Sequence, residues 1–504
     1  MNKHEQDQDQ QRGFRPSRRW ALKATALGGA LLPLVLREEP ASANAAEPGL
    51  GSAFRPERFG ARGDGRTNDT DAFAAMGAAI QAAGGGVIEL APRATYIVGK
   101  QRFLANQPTA GDIAAHVESF LPSRILWLRA LSKGLTIRGN GARLRAADGL
   151  RYGTFNPVTG RPNKHPLPYL GGDIAYPYDA MIGLHSISAP VVIENLELDG
   201  NCDNYIWGGQ RGDTGWQLPC NGMLIQDCPH VLLSNVQSHH HGLDGLQCTA
   251  EGAFTVRNSR FHHNCRLNGN LRAGTGFFAV NSDFDFAGKG TRFSAPAGGF
   301  ALEAEFPGRP IIAPRFVNCR FRHNRYQGMA ADTGAISGAS FEKCLFWSGA
   351  RQESNPIYIS KPRFRFTDCT FGGPLIVGGS YARDTDLPFF ERCLFTDDPA
   401  RGSLDGTVST ETSIINVERG GTMFRKCRFL FSNSRVPAIA NGMIVLDECI
   451  LVNSPRIYTI IAGTYRNCTI TGTSIDLSNS SIAYFEGQTT VNGRLMTKSS
   501  PKPT

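Results

Sequence analysis

The chain has 504 residues, of which 57 are glycine and 12 cysteine, and its 53 basic and 44 acidic side chains leave a formal charge of +9. With 19% charged and 41% hydrophobic residues it is not a disordered polymer, and its glycines follow no Gly-X-Y period, which excludes collagen. Twelve cysteines are too sparse to frame a disulfide miniprotein, and a length that ordinarily implies several domains is also reached by one solenoid whose repeats touch only their neighbours.

Ser17-Arg18-Arg19-Trp20-Ala21-Leu22-Lys23 leads into the apolar stretch Ala24 to Leu36 and the small-X-small triplet Ala41-Ser42-Ala43. That order resembles a twin-arginine export signal. The apolar run is shorter than the about 20 residues a membrane helix needs, and Pro33 breaks it. Residues 1–43 are therefore expected to engage the twin-arginine translocase and be cleaved, leaving a periplasmic or secreted protein with no membrane insertion. A linker, 44–53, follows. Cleavage removes 7 basic and 5 acidic residues and leaves a charge near +7, a balance that favours acidic partners such as uronic-acid polymers.

Phe59-Gly60-Ala61-Arg62-Gly63-Asp64-Gly65 and Thr67-Asn68-Asp69-Thr70-Asp71 form a turn-rich opening. Apolar Phe73, Met76, Ile80 and Ala83 then follow at helical spacing, with the Asn/Asp/Thr cluster as cap. Gly84-Gly85-Gly86 ends the helix, and Val87-Ile88-Glu89-Leu90 and Tyr96-Ile97-Val98 read as strands. Over residues 54–100 this FGA-x-GDG-x-TNDT pattern resembles the N-terminal module of the pectate-lyase-like superfamily, of the rhamnogalacturonase and epimerase type. The resemblance implies an all-β, right-handed parallel β-helix whose first coil is capped by this module, here spanning 54–490, with 491–504 a flexible tail.

A strand of the form apolar-x-x-Cys-x-apolar recurs at Cys319, Cys344, Cys369, Cys393, Cys427, Cys449 and Cys468, in steps of 25, 25, 24, 34, 22 and 19 residues. That period fits one coil of three short strands, because the runs are short, aromatic and β-branched. Stacked coils place equivalent residues about 4.8 Å apart, so the seven thiols form one inward ladder, and side chains that point the same way are poor disulfide geometry. Cys202 and Cys220, on a long loop, are the pair to test for a bridge.

Six of the eleven histidines fall between residues 239 and 323. Aligning the coils puts His240, His263 and His323 in one row and His241, Asn264 and Asn324 in the next, with Gly288 and Lys289 from the intervening coil. The row is either a hydrogen-bonding stack or a source of proton acceptors, and no acidic residue stands at metal-ligand spacing. Glycine-led strands starting at Gly245, Gly276, Gly299 and Gly328 align Thr249, Val280, Glu303 and Asp332 as an outward row, with Glu305 on the same side. Two carboxylates about 5 Å apart would split their pKa values and match a retaining glycosidase, or they pair with arginines such as Arg325. Gly299-Phe300-Ala301-Leu302-Glu303-Ala304 also resembles a β-helix family pattern, Gly-Ile-Asp-Ile-Glu-Pro. The glutamate is kept, and Ala301 and Ala304 replace the aspartate and proline. The Arg-x-Lys motif of polygalacturonases and the Asp-Pro-His-Glu motif of alginate epimerases are absent, so no substrate carries over.

Two insertions rich in aromatics, residues 201–222 with Tyr205, Trp207, Arg211 and Trp216, and residues 150–180 with Tyr152, Phe155, Tyr169, Tyr176 and Tyr178, suit either stacking on sugars or packing of the loops themselves. No lysine-arginine stripe or nucleic-acid motif is present.

The sequence thus describes an exported polysaccharide-acting enzyme. As a lyase or C5-epimerase, it would use His263, Lys289 or His323 to remove the proton alpha to a uronate carboxylate, while Arg272 or Arg325 neutralises that carboxylate. As a hydrolase it would use Glu303 and Asp332. His240, His241, Asp244, Arg272, Glu305, Arg325, Trp207 and Trp216 are the expected substrate contacts. No cofactor or metal centre is expected, a calcium requirement is left open, and a noncatalytic glycan-binding scaffold is the alternative class.

Overall fold

The computed structural model describes residues 53–104, 118–163, 174–209, 218–290, 292–349, 355–377, 386–409, 415–416, 421–432, 439–440, 443–459, 463–476 and 483–497. The expected signal peptide, almost all of the linker, Tyr169, Arg211 and Trp216 lie outside these residues. No helix among them is long and apolar enough to cross a membrane.

Helix α1 (Thr70–Ala83) buries Phe73, Met76 and Ile80 as their spacing predicts, and ends at Gly84 in the left-handed conformation (φ 76°). Its start differs from expectation. Asp69 stands at the cap position, but its carboxylate accepts from the backbone N–H groups of Arg62 and Gly63 at 2.8 and 3.1 Å, tying the opening turn together. Asn68 Oδ1 accepts instead from the Thr70 hydroxyl at 2.6 Å.

From there the chain winds into coils of three strands. In one coil, Ala253–Arg257, Arg260–His262 and Leu267–Gly274 pair in parallel with Phe277–Val280, Asp283–Asp285 and Gly298–Glu303 of the next, in the registers Phe254↔Phe277, Phe261↔Phe284 and Leu271↔Leu302. Among the described residues, first and second strands belong to a sheet of 27 strands and third strands to one of 13. The result is a parallel β-helix.

First and second strands meet at a bend with left-handed backbone. Asn195, Asn235, Asn258, Asn281 and Asn318 occupy it, then Lys343, Asp368, Arg392, Lys426, Glu448 and Asn467, all with φ of 50–56°. Asparagine tolerates this region, and its amides link the coils: Asn235 Nδ2 donates to Asn195 Oδ1 at 2.7 Å and Asn318 to Asn281 at 2.8 Å. Where charged residues replace it, opposite signs meet at most junctions, as in Arg392 Nε to Asp368 Oδ1 at 2.8 Å, although Arg392 is followed on the next coil by Lys426.

The residue after the bend points inward. This is the cysteine row, and all twelve cysteines are free and buried. The thiol of Cys369 donates to Phe341 O of the preceding coil and to Thr367 O, at 3.5 and 3.4 Å. Two phenylalanine stacks flank the row. One runs through Phe316, Phe341, Phe366, Phe390 and Phe424, the other through Phe321, Phe346, Phe371, Phe395 and Phe429, with centroids 4.6–5.0 Å apart. These spacings are those of neighbouring strands.

Two open alternatives are decided and one expectation, the flexible tail, is corrected. Cys202 and Cys220 are not paired: Cys202 Sγ lies 3.6 Å from Cys265 Sγ, because both backbone N–H groups bond to the turn between them, at His240 O and His241 O. The loop aromatics Tyr152, Phe155, Tyr176, Tyr178 and Tyr205 are buried: short strands of the insertions join a five-stranded side sheet, Tyr152, Tyr176, Tyr178 and Tyr205 pack into the main core, and Phe155 packs with Phe120 and Ala175. Trp207 packs edge-on to Tyr152 at 5.0 Å and donates Nε1 to Cys202 O at 3.0 Å, so it is no open sugar platform. The sheet also continues past residue 490, where Arg494–Leu495 folds back antiparallel on Thr490–Val491.

Thiol titration checks the cysteine row. The native protein is expected to react with none of its cysteines, and the protein unfolded in guanidinium without reductant to expose all twelve. Fewer than twelve would reveal a bridge.

Candidate active site

The third strands Leu246–Ala250, Leu267–Gly274, Gly298–Glu303 and Gln327–Thr333 lie side by side, with Leu246, Gly269, Phe300 and Met329 in one inward row. Asp244, in the turn before the first of them, is fully buried. Such a carboxylate is stable only if paired and hydrogen-bonded. It accepts from Arg266 Nε at 2.7 Å and Nη2 at 2.5 Å, from Leu267 N at 3.2 Å and from Gln247 Nε2 at 3.2 Å. Asp244 thereby holds the Arg266 guanidinium in one place rather than meeting substrate itself.

Glu303, two coils on, is partly buried, and its Oε2 accepts from Asn270 Nδ2 at 2.8 Å. Burial raises its pKa above the usual carboxylate value; Arg266 pulls it back, while Glu305 and Asp244 push it further up. Asn270 is buried, and its Oδ1 makes no hydrogen bond among the described residues, an acceptor that a bound hydroxyl or water would satisfy. Arg272 pairs with Glu305, donates Nη1 to Gln247 Oε1 at 3.2 Å and lies 4.8 Å over the Phe306 ring. Together these groups form a polar face with one poised carboxyl and two fixed cations.

The expected outward row is corrected in three places. The strand from Gly276 belongs to the larger sheet, pairing with Ala253–Arg257, so Val280 is not on this face. Thr249 is buried and accepts from Asp227 N at 2.9 Å. A register shift sets Thr333, not Asp332, opposite Glu303, and Asp332 is exposed, accepting from Thr333 Oγ1 at 3.0 Å. The paired carboxylates of a retaining glycosidase do not form in this register.

The histidine row exists with a different member. His240, His263, Phe286 and His323 stack with centroids 5.1, 4.9 and 5.5 Å apart. The inner row is His241, Asn264, Ala287 and Asn324, and Gly288 and Lys289 fall beyond both, with Lys289 exposed on the turn. His241 is buried against Tyr178 OH at 3.4 Å, and burial lowers its pKa well below 6.5, so it is a neutral core residue. His323 is buried under a distant turn, its Nε2 accepting from Leu404 N at 2.9 Å, which rules it out as an accessible base. His263 is held neutral by burial and by the neighbouring histidines, its pKa lowered to about 4. Arg325 lies over the Phe293 ring at 3.4 Å.

Sequence reasoning missed Arg266, Gln247 and Asn270 beside Glu303, and Glu197, Asp199, Asp203, His239 and His262 beside the histidine row. One signal was available: Gln247 and Asn270, like Ser259 and Ser282, are separated by one coil step of 23 residues.

Residues 216–380 match the family model described as "Right handed beta helix region". No curated protein matches the sequence. Among solved structures, the A-module of the Azotobacter vinelandii mannuronan C-5 epimerase AlgE4 is 15% identical over 89% of this chain and 100% of its own, with a TM-score of 0.41. The Streptococcus pneumoniae surface adhesin PfbA is 11% identical over 84% of this chain and 91% of its own, with a TM-score of 0.41. Gene product 12 of bacteriophage phi29, in its pre-mature form, is 13% identical over 88% of this chain and 57% of its own, with a TM-score of 0.45. Identities of 11–15% and TM-scores of 0.41–0.45 carry no argument about activity.

Breaking the buried pair strands a charge. Asp244→Asn and Arg266→Met are each expected to lower the unfolding free energy by about 3–5 kcal/mol in urea denaturation, and the two together to cost less than the sum of both.

Proposed function

We propose that the protein is an exported, carbohydrate-active enzyme that acts on a uronate-containing polysaccharide by lyase or C5-epimerase chemistry, with Glu303 moving the proton. The observation that carries this reading is the Glu303 carboxyl, its pKa raised by burial, anchored by Asn270 and set in the field of Arg266. Arg272 follows Leu271, which pairs with Leu302, so it neighbours Glu303 across the strands. Either cation offsets the charge that builds on a uronate carboxylate when its alpha carbon loses a proton. Glu303 as carboxylate takes that proton. In a lyase the freed electron pair forms the ring double bond and expels the neighbouring glycosidic oxygen, which takes up a proton from the newly protonated Glu303; in an epimerase water delivers a proton to the opposite face of the alpha carbon, and Glu303 returns its own to solvent. Asp332, exposed and out of register, gives the two-carboxylate hydrolase no comparable support.

Incubating the mature protein with uronate-rich and neutral polysaccharides tests the class. Absorbance at the ultraviolet edge marks a lyase, exchange of the C5 hydrogen for solvent deuterium marks an epimerase, and new reducing ends without absorbance would mark hydrolysis. Binding with no product from any polymer would leave a glycan-binding scaffold and overturn the enzymatic reading.

Glu303→Gln is expected to lose about 10²–10⁴-fold in rate. As a base Glu303 must ionise, so kcat/KM is expected to rise with pH through a midpoint above the ordinary carboxylate value, and this limb should vanish in the variant. The raised pKa also means that ionising Glu303 costs stability as pH climbs past its unfolded value. The variant is therefore expected to melt no lower than the parent at neutral pH, which separates lost chemistry from lost fold.

A further inference from the structure

Among the described residues, the densest group of metal-ligating side chains outside the Glu303 face lies where the larger sheet turns at His240. Consecutive strand residues point to opposite sides. The left-handed backbone at His240 (φ 54°) swings its ring back beside His239, so the two Nδ1 atoms stand 2.7 Å apart with ring planes at 86°. Asp199, one coil earlier, pairs in register with His239, and its Oδ1 lies 3.7 Å from His239 Nδ1. One donor atom from each of Asp199, His239 and His240 lies within 4.8 Å of the others.

The protonation of His239 is set from outside. Its Nε2 stands 3.0 Å from Glu197 Oε1, and Glu197 is itself held by Arg143 at 2.8 Å. A carboxylate only accepts, so Nε2 carries the hydrogen and the Nδ1 lone pair faces Asp199 and His240. A carboxylate behind an imidazole is the arrangement that orients metal-binding histidines. The site also opens to solvent, because the His240 side chain is 31% exposed and Asp203, 3.9 Å from its Nε2, is 57% exposed. The next coil repeats the histidine pair without the acid. His262 and His263 bring their Nδ1 atoms to 2.9 Å, but Asp285, in register with His262, is engaged by Arg322 at 2.7 Å, whereas Asp199 accepts from Asn201 N and stands a looser 3.6 Å from Arg145.

We infer that Asp199, His239 and His240 bind one divalent transition-metal ion, with Glu197 orienting His239 and Asp203 at the rim. Two imidazoles and one carboxylate suit zinc, cobalt, nickel or copper, whereas calcium and magnesium take oxygen ligands. Metal–nitrogen bonds of about 2.0–2.1 Å require the two rings to open slightly from their 2.7 Å approach. Without metal the His240 Nδ1–H donates to His239 Nδ1; a metal takes both Nδ1 lone pairs once that hydrogen moves to His240 Nε2, which stands 3.9 Å from Asp203.

The test uses the untagged mature protein, stripped with chelator and titrated with Zn²⁺ by calorimetry and with Co²⁺ by visible absorption. One ion per chain is expected. Asp199→Asn and His240→Phe should abolish stoichiometric uptake, Glu197→Gln should weaken it about 10–100-fold, and His263→Phe and Glu303→Gln should bind as the parent does. No stoichiometric uptake by the parent overturns the inference, as does unchanged uptake in Asp199→Asn. If the ligand variants fail to fold, Glu197→Gln decides, and an unchanged affinity there counts against the site. The readout is independent of activity on sugars, so it stands or falls apart from the polysaccharide reading.

Discussion

Every other feature of this molecule depends on stacking one coil on the next at the spacing of neighbouring β-strands. That spacing dictates what the interior holds. Planar rings fill it face to face, which is why phenylalanine occupies two of the interior rows and why their centroids repeat at 4.6–5.0 Å. The row between them faces a sharp bend, and beside the phenylalanine stacks it holds small side chains. Cysteine and serine fit there, and their S–H and O–H groups reach nearby backbone carbonyls, as Cys369 reaches Phe341 O and Ser259 Oγ reaches Arg257 O. Outside this row, burial pushes the Cys220 thiol up, to about 12, and keeps it protonated.

The same regularity explains where chemistry can be hosted. Interior rows are committed to packing, so polar function falls to outward rows and to the turns between sheets. The Glu303 face draws on three successive coils, which contribute Asp244 and Gln247, then Arg266, Asn270 and Arg272, then Glu303 and Glu305. The histidine group draws on three coils as well, at a bend where the left-handed backbone breaks the alternation of side chains. In both places a buried or half-buried carboxylate sets the geometry of its neighbour: Asp244 fixes Arg266, and Glu197 fixes the tautomer of His239.

The solenoid was legible because its interior rows repeat in kind: Phe-x-x-Cys-x-Phe announces its own period. The outward rows do not repeat in kind, and there the reading slipped. Glycine begins both first and third strands, so the strand at Gly276 was matched to the wrong sheet. Phe286 stacks on His263 as well as a histidine would, but chemical likeness alone points to Lys289, three residues on. Asp332 followed the expected alternation until a register shift beside Glu303 displaced it. The cover on His323 comes from Leu404, 81 residues away, beyond the reach of any local pattern.

The charged half of the bend row has a consequence for how such a chain can change. Lys343 and Arg392 both act on Asp368 between them, and Lys426 reaches Glu448 at 3.7 Å. Removing the coil that carries Asp368 would close the solenoid with its phenylalanine stacks intact, yet set Lys343 against Arg392. The interior would accept coils in many orders, whereas the outer row, which tolerates Arg392 beside Lys426, favours those that keep Asp368 between its two cations. Charge thus marks the coil that carries Asp368 and weighs against its loss, where the uniform core alone would permit it.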